Sequence, residues 1–221
     1  MFSNLRSLIF KLDPETAHSL AIKSLKLNLI PNVLSEDKNN PLFLMSHAQF
    51  LHEQQRYDEA IPLYEQVIAI DNRMIQASYN LADIYIKKNN YDNAIQLYKV
   101  VFNENPNFAE TGLILGQLLV LKDRYLEAIP YLQASYKTSP FDKKLLQLLG
   151  MSYFNSGKWD DAIFILSEYL DLNPSDFEVV KVKLLAHKYN GNLAQSKKEL
   201  NAFIKKYPRN KMARKFRKEL N

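Results

Sequence analysis

The sequence predicts an all-α protein: a right-handed α-solenoid of five 34-residue helix–turn–helix repeats with helical segments on either side. Three observations predict it. The first is a strict period. Tyr57-Asp-Glu-Ala-Ile, Tyr91-Asp-Asn-Ala-Ile, Tyr125-Leu-Glu-Ala-Ile, Trp159-Asp-Asp-Ala-Ile and Leu193-Ala-Gln-Ser-Lys each begin 34 residues after the one before. Repetition at a period between 20 and 50 residues is the signature of stacked repeat architectures. The second is scarcity of glycine, with 5 in 221 residues. That is about 2 per cent against about 7 per cent in average proteins, too few for the turns and phosphate loops of sandwiches, barrels and nucleotide-binding folds. The third is the spacing of apolar residues inside each period, two runs of about a dozen residues with helical periodicity. Apolar residues make up 47% of the chain, enough for a core and too many for a disordered polymer.

The elements follow in chain order. Residues 1–34 read as a two-helix segment. Phe2, Leu5, Ile9 and Leu12 share one helical face, and Asp13-Pro14-Glu15 supplies an N-cap, a proline at the first helical position and an acidic first turn. Residues 35–40 form a polar linker. The repeats occupy 41–210, as 41–74, 75–108, 109–142, 143–176 and 177–210. Positions 8 (Ala48, Ala82, Gly116, Gly150) and 20 (Ala60, Ala94, Ala128, Ala162, Ser196) are small, which marks where two helix backbones cross closely. Tyr57, Tyr91, Tyr125 and Trp159 at position 17, with Tyr64, Tyr98, Leu132 and Leu166 at position 24, fill the space around that crossing. Pro106, Pro140, Pro174 and Pro208 end one helix pair and let the next begin. Repeat five is weak in pattern, with Lys183, Leu184 and Lys197 at positions 7, 8 and 21, as expected of an end unit that lacks one stacking neighbour. Residues 211–221 form a basic C-terminal cap.

This pattern resembles the tetratricopeptide repeat (TPR) family, and the resemblance spans 41–210 without an insertion. It implies a non-catalytic interaction scaffold that holds a partner segment on a concave face lined by the first helices, through positions 2, 5, 6, 9, 12 and 13. The groove candidates so obtained are Tyr79, Asn80 and Asp83 in repeat two. Repeat three adds Leu113, Ile114, Gln117, Val120 and Leu121, and repeat four adds Lys144, Gln147, Leu148, Met151, Phe154 and Asn155. The partner implied is a protein or peptide with apolar anchor residues, its direction fixed by Asn80, Gln117, Gln147 and Asn155. The carboxylate clamp of chaperone adaptors needs Lys, Asn, Asn, Lys and Arg at five groove positions. Met45, Gln49, Asn80, Glu110 and Ile114 stand there, so only Asn80 fits.

A second resemblance covers residues 1–35. The string from Leu8 through Leu12-Asp13-Pro14-Glu15-Thr16-Ala17-His18, followed by Leu29-Ile30-Pro31, is similar to the N-terminal membrane-associating extension of class 2 dihydroorotate dehydrogenases. It implies a membrane surface contacted through residues 1–30, with Phe2, Leu5, Ile9 and Leu12 as the contact residues. The flavin-binding barrel and its base are absent from this sequence, so that activity is not implied. Three alternatives stand: a cytoplasmic scaffold, an assembly factor held peripherally on the inner face of a membrane, and a remnant or fusion of the dehydrogenase.

Other chemistry finds no motif. Zero cysteines exclude disulfides, thiolate metal sites and cysteine nucleophiles. His47 and His52 are five residues apart, without the spacing or companions of a metal site. No cofactor, metal or small-molecule substrate is expected, and no enzyme activity. The longest apolar stretch, Leu113 to Leu121, is about half a bilayer span. Charge is uneven: residues 197–221 hold ten Lys or Arg against Glu199 and Glu219, while the remaining residues sum to −3. The expected reading is a solvated capping helix, with an acidic partner, a membrane surface and RNA as alternatives. Nucleic acid is the least favoured, because only Phe203, Tyr207 and Phe216 interleave with the basic residues.

Overall fold

The computed structural model describes residues 40–220. The two-helix segment 1–34, its membrane-contact residues Phe2, Leu5, Ile9 and Leu12, and most of the linker lie outside the described residues. Two compact units divide after Glu104. In the first, α1 (Pro41–Glu53), α2 (Tyr57–Ile70), α3 (Ile75–Lys87) and α4 (Tyr91–Glu104) form two helix pairs. In the second, α5 (Thr111–Leu121), α6 (Tyr125–Thr138), α7 (Lys143–Asn155), α8 (Trp159–Leu172), α9 (Phe177–Tyr189) and α10 (Leu193–Lys206) form three, and α11 (Lys211–Glu219) follows. All described elements are helical, so the all-α solenoid class holds.

Each first helix ends the same way. Gln55, Asn89, Asp123, Gly157 and Gly191, all at position 15, adopt positive φ between 55° and 79°. The backbone then closes two bonds back onto the helix. In repeat four, Gly157 N–H donates to the Phe154 carbonyl (3.1 Å) and Lys158 N–H to the Tyr153 carbonyl (2.9 Å). The other four repeats show the same pair of bonds, for example Gln55 to His52 and Arg56 to Leu51. This Schellman closure needs a left-handed residue, which accounts for the matching spacing of Gly157 and Gly191. Helix starts use side-chain caps where they exist. Asn40, Asp142, Asp176, Asn192 and Asn210 each accept from a backbone N–H of the following turn.

The small positions mark the crossings, as expected. Ala60, Ala94, Ala128, Ala162 and Ser196 are fully buried, and so are Ala48 and Ala82. A Cβ added at Gly116 would lie 2.3 Å from Leu132 Cδ2, and one at Gly150 would lie 2.4 Å from Leu166 Cδ2. Both leucines are 0% exposed. Repeats one and two pair alanine at position 8 with tyrosine at position 24, whereas repeats three and four pair glycine with leucine. The branched leucine Cγ occupies the place the missing Cβ would take.

Two features depart from a uniform repeat. The period predicts entry into the first helix of repeat three at 109, yet Phe108–Glu110 forms a 3-10 turn in which Ala109 and Glu110 are both left-handed. Helix α5 starts only at Thr111, whose hydroxyl donates to the Phe108 carbonyl. Repeat five is weak in pattern but closed in structure. Ser196 Oγ donates to the Leu184 carbonyl at 2.9 Å inside the crossing. Helix α11 lays Ala213, Phe216 and Leu220 onto Phe177, Leu184, Leu200 and Phe203, so the last pair carries its own apolar cluster. Helix α11 thus covers apolar surface of the last pair that a further repeat would otherwise pack against.

Candidate functional site: the faces of the first helices

In the first unit the predicted groove residues are tied to other helices. Asn80 Nδ2 donates to the Tyr64 hydroxyl (3.2 Å), and Gln76 Nε2 donates to Asn80 Oδ1 (2.8 Å). Tyr64 is fully buried, and burial above all pushes its hydroxyl up to about 12. Asp83 Oδ2 lies 3.1 Å from His52 Nε2, joining α3 to α1, and Lys87 Nζ stands 4.0 Å from its other oxygen. The His52 ring packs edge-on to Tyr57 and Tyr64. Tyr79 meets Tyr98 edge-on at 5.4 Å. Asn80 and Asp83 therefore brace the helix pairs and keep only their outer edges half-exposed. His47 packs near Phe43, and its burial, then the Arg56 charge, lower its affinity for a proton.

The second unit places α5, α7 and α9 side by side. The seven apolar candidates do not form an open patch. Leu121 is 60% exposed, while Leu113, Ile114, Val120, Leu148, Met151 and Phe154 are half-buried. Helices α5, α7 and α9 pack side by side along this face, and Phe154 is met there by Tyr189 of the next repeat. The polar positions are freer. Lys144 and Gln147 are exposed, Gln117 is half-buried, and Asn155 is exposed with its amide donating to the Met151 carbonyl of its own helix. The face thus has an apolar floor and a polar, partly basic rim.

Repeat five extends this face with residues outside the predicted set. Val182 and Leu185 are half-buried, and Lys188 and Tyr189 are exposed. Tyr189 sits between Phe154 (5.9 Å) and Trp159 (6.1 Å), and it is 53% exposed. The signal was present, since these residues hold the groove positions 6, 9, 12 and 13 of the last repeat. Its weak match to the period hid it.

The second helices carry their own grooves, which the periodic pattern did not reveal. A cavity of about 440 Å³ between α2, α3 and α4 is lined by Ile68, Leu81, Tyr85 and Leu97. One of about 500 Å³ between α6, α7 and α8 is lined by Ala134, Leu149, Tyr153 and Ile165. Leu, Tyr and Leu or Ile recur there at positions 7, 11 and 23. In repeat five those positions hold Lys183, His187 and Glu199, joined by Gln195. Glu199 takes Lys183 Nζ at 3.1 Å and the Gln195 amide at 2.9 Å. His187 Nε2 stands 3.2 Å from Glu199 Oε1, the oxygen that accepts from Gln195, without the alignment of a hydrogen bond. Burial pushes the Glu199 carboxyl up, but the Gln195 amide, Lys183 and His187 together leave it below its ordinary value. Among the described residues no cluster of three His, Asp or Glu is placed to hold a metal, and no helix is long and apolar enough to cross a membrane.

Within each unit, paired helices crossing at small residues, a left-handed residue closing each first helix and first helices lying side by side define a tetratricopeptide-type α-solenoid. A tetratricopeptide repeat model matches residues 51–118, and a model of anaphase-promoting complex, cyclosome, subunit 3 matches residues 87–169. Among solved structures the chain is similar to YrrB, described as a TPR protein with an unusual peptide-binding site. The identity is 20% and the TM-score 0.67, covering 84% of this chain and 95% of that one. It is similar to a MamA protein at 21% identity and TM-score 0.60, over 75% of this chain and 91% of that one. A MamA fragment from Desulfovibrio magneticus RS-1 aligns at 15% identity and TM-score 0.56, over 77% and 97%. No curated protein matches the chain by sequence. The similarity of residues 1–35 to dihydroorotate dehydrogenases finds no support in these comparisons.

Proposed function

We propose that the chain is a non-catalytic interaction scaffold that holds a protein segment on the first-helix face of α5, α7 and α9. The observation that carries this reading is the composition of that face: an apolar floor of Leu148, Met151 and Phe154 beside exposed Lys144, Gln147, Leu121 and Tyr189. Surfaces of this kind recognise extended or helical segments through apolar anchors, with polar groups fixing direction. The peptide-binding description of YrrB supports a peptide or protein ligand here. The test is affinity capture with crosslinking and mass spectrometry, run in parallel on wild-type, Leu121→Glu and Tyr189→Ala. Both side chains are more than half exposed, so circular dichroism should be unchanged while the captured partner is lost. Full capture by both variants would place the site elsewhere.

A second reading, a membrane-associated assembly factor, rests on the spacing of Phe2, Leu5, Ile9 and Leu12 in the sequence. A chain beginning at Pro41 should then lose co-sedimentation with vesicles, and the loss should persist at high salt because apolar burial supplies most of that affinity.

A further inference from the structure

The basic residues of the C-terminus take on a shape in the folded chain. Ala213, Phe216 and Leu220 point into the apolar cluster of α9 and α10. By the 100° helical step, Lys211, Arg214, Lys215 and Lys218 then stand on the opposite crest. All four are exposed, and among the described residues no carboxylate pairs with them. Lys211 to Lys218 spans roughly 10 Å of helix axis. Arg217 flanks the row on one side, and exposed Met212 flanks it on the other with Glu219.

We propose that this crest of α11 docks the protein on the surface of an anionic lipid bilayer. This goes beyond the scaffold reading and is independent of residues 1–30. Charge complementarity is the first argument: the local excess of eight positive charges sits at one end of a chain whose remaining residues sum to −3. Clusters of four to eight lysines and arginines on a helix attract acidic headgroups through the negative surface potential of the leaflet. The second argument is the fate of the aromatic rings. Phe203 lies 4.7 Å from Tyr207 and 5.4 Å from Phe177, and Phe216 lies 6.1 Å from Phe177. Phe203 and Phe216 are therefore buried in the fold, and Tyr207 is half-buried with Lys206 over its ring, so no exposed ring stands on the crest of α11 as a platform for stacking bases. The third is chemistry and form. Lysine predominates on the crest, and lysine is a point charge suited to a diffuse anionic field, where arginine would favour bidentate recognition of single groups. The exposed crest of a terminal helix is convex and meets a plane without needing a groove.

The experiment uses the full chain and vesicles of phosphatidylcholine with and without phosphatidylserine, read by co-sedimentation at low and high salt. Wild-type should bind the phosphatidylserine vesicles more strongly than the neutral ones, and this excess should be released at high salt. The triple variant Lys211→Gln, Lys215→Gln, Lys218→Gln should bind about a hundredfold more weakly, at about fivefold per charge. Arg214→Glu with Lys215→Glu should also lose binding, which guards against a fold effect in either variant, and unchanged circular dichroism confirms the fold. Equal binding by wild-type and both variants overturns the proposal, as does equal binding to neutral vesicles. Absence of vesicle binding also overturns it, and capture of duplex RNA or polyglutamate in that case assigns the crest to a nucleic acid or an acidic protein.

Discussion

Gly150 provides a test of the helix crossings that separates packing from propensity. At an ordinary helix-interior position, glycine to alanine stabilises by up to about 1 kcal/mol. At Gly150 the new Cβ would stand 2.4 Å from Leu166 Cδ2 and 2.7 Å from its Cγ. Carbon atoms in contact prefer about 3.5–4.0 Å, so the Leu166 side chain or the spacing of α7 and α8 must give by about 1 Å. Leu166 is 0% exposed, so any shift is made against other buried side chains. Overpacking of this kind costs about 1–3 kcal/mol, which after a propensity gain of about 1 kcal/mol leaves Gly150→Ala less stable than wild-type by about 1 kcal/mol and at most about 2 kcal/mol. Urea unfolding followed by far-ultraviolet circular dichroism should show a midpoint lower by about 0.5 M. Leu166→Ala alone should cost about 2–5 kcal/mol through its cavity. In combination with Gly150→Ala it should cost less, because the added methyl fills part of that cavity and the two sites are coupled. A Gly150→Ala midpoint at or above wild-type would refute the close crossing.

Two further outcomes follow from the geometry. Gln55 is a long side chain held at φ 59° in the closure of α1, where glycine carries no steric penalty; Gln55→Gly should stabilise by about 0.5–1 kcal/mol in the same unfolding assay, and a loss of stability would contradict the closure described for α1. The Glu199 carboxyl is held below its ordinary value of 4.5 when folded, so its contribution is complete above that value and disappears as acidification passes below it. Glu199→Gln should therefore cost about 1–2 kcal/mol at neutral pH, through lost charged hydrogen bonds in a partly exposed site. The gap to wild-type should narrow at acid pH, and a gap of constant size would show that the carboxylate charge is not involved.

The period of the repeat, read from sequence alone, determined the fold class, the helix pairs and the small residues at the crossings. These features are legible because they are local: a helix face is set by residues three and four apart, and an alanine or glycine recurring every 34 residues marks a close approach of two backbones. The first-helix faces were legible in the same way, since position within the repeat tells which side of a helix a residue is on. Tertiary structure decided what those sides meet. Leu148 and Met151 are half-buried, and Asn80 and Asp83 are bonded to Tyr64 and His52, 16 and 31 residues away. The same holds for Lys183, which reads as a weak match to the period and proves to be the partner of Glu199 across a helix pair. It holds too for Phe203 and Phe216, which interleave with lysines along the chain and face inward in space. Exposure and pairing depend on the distance between elements remote in sequence, and no local pattern encodes that distance.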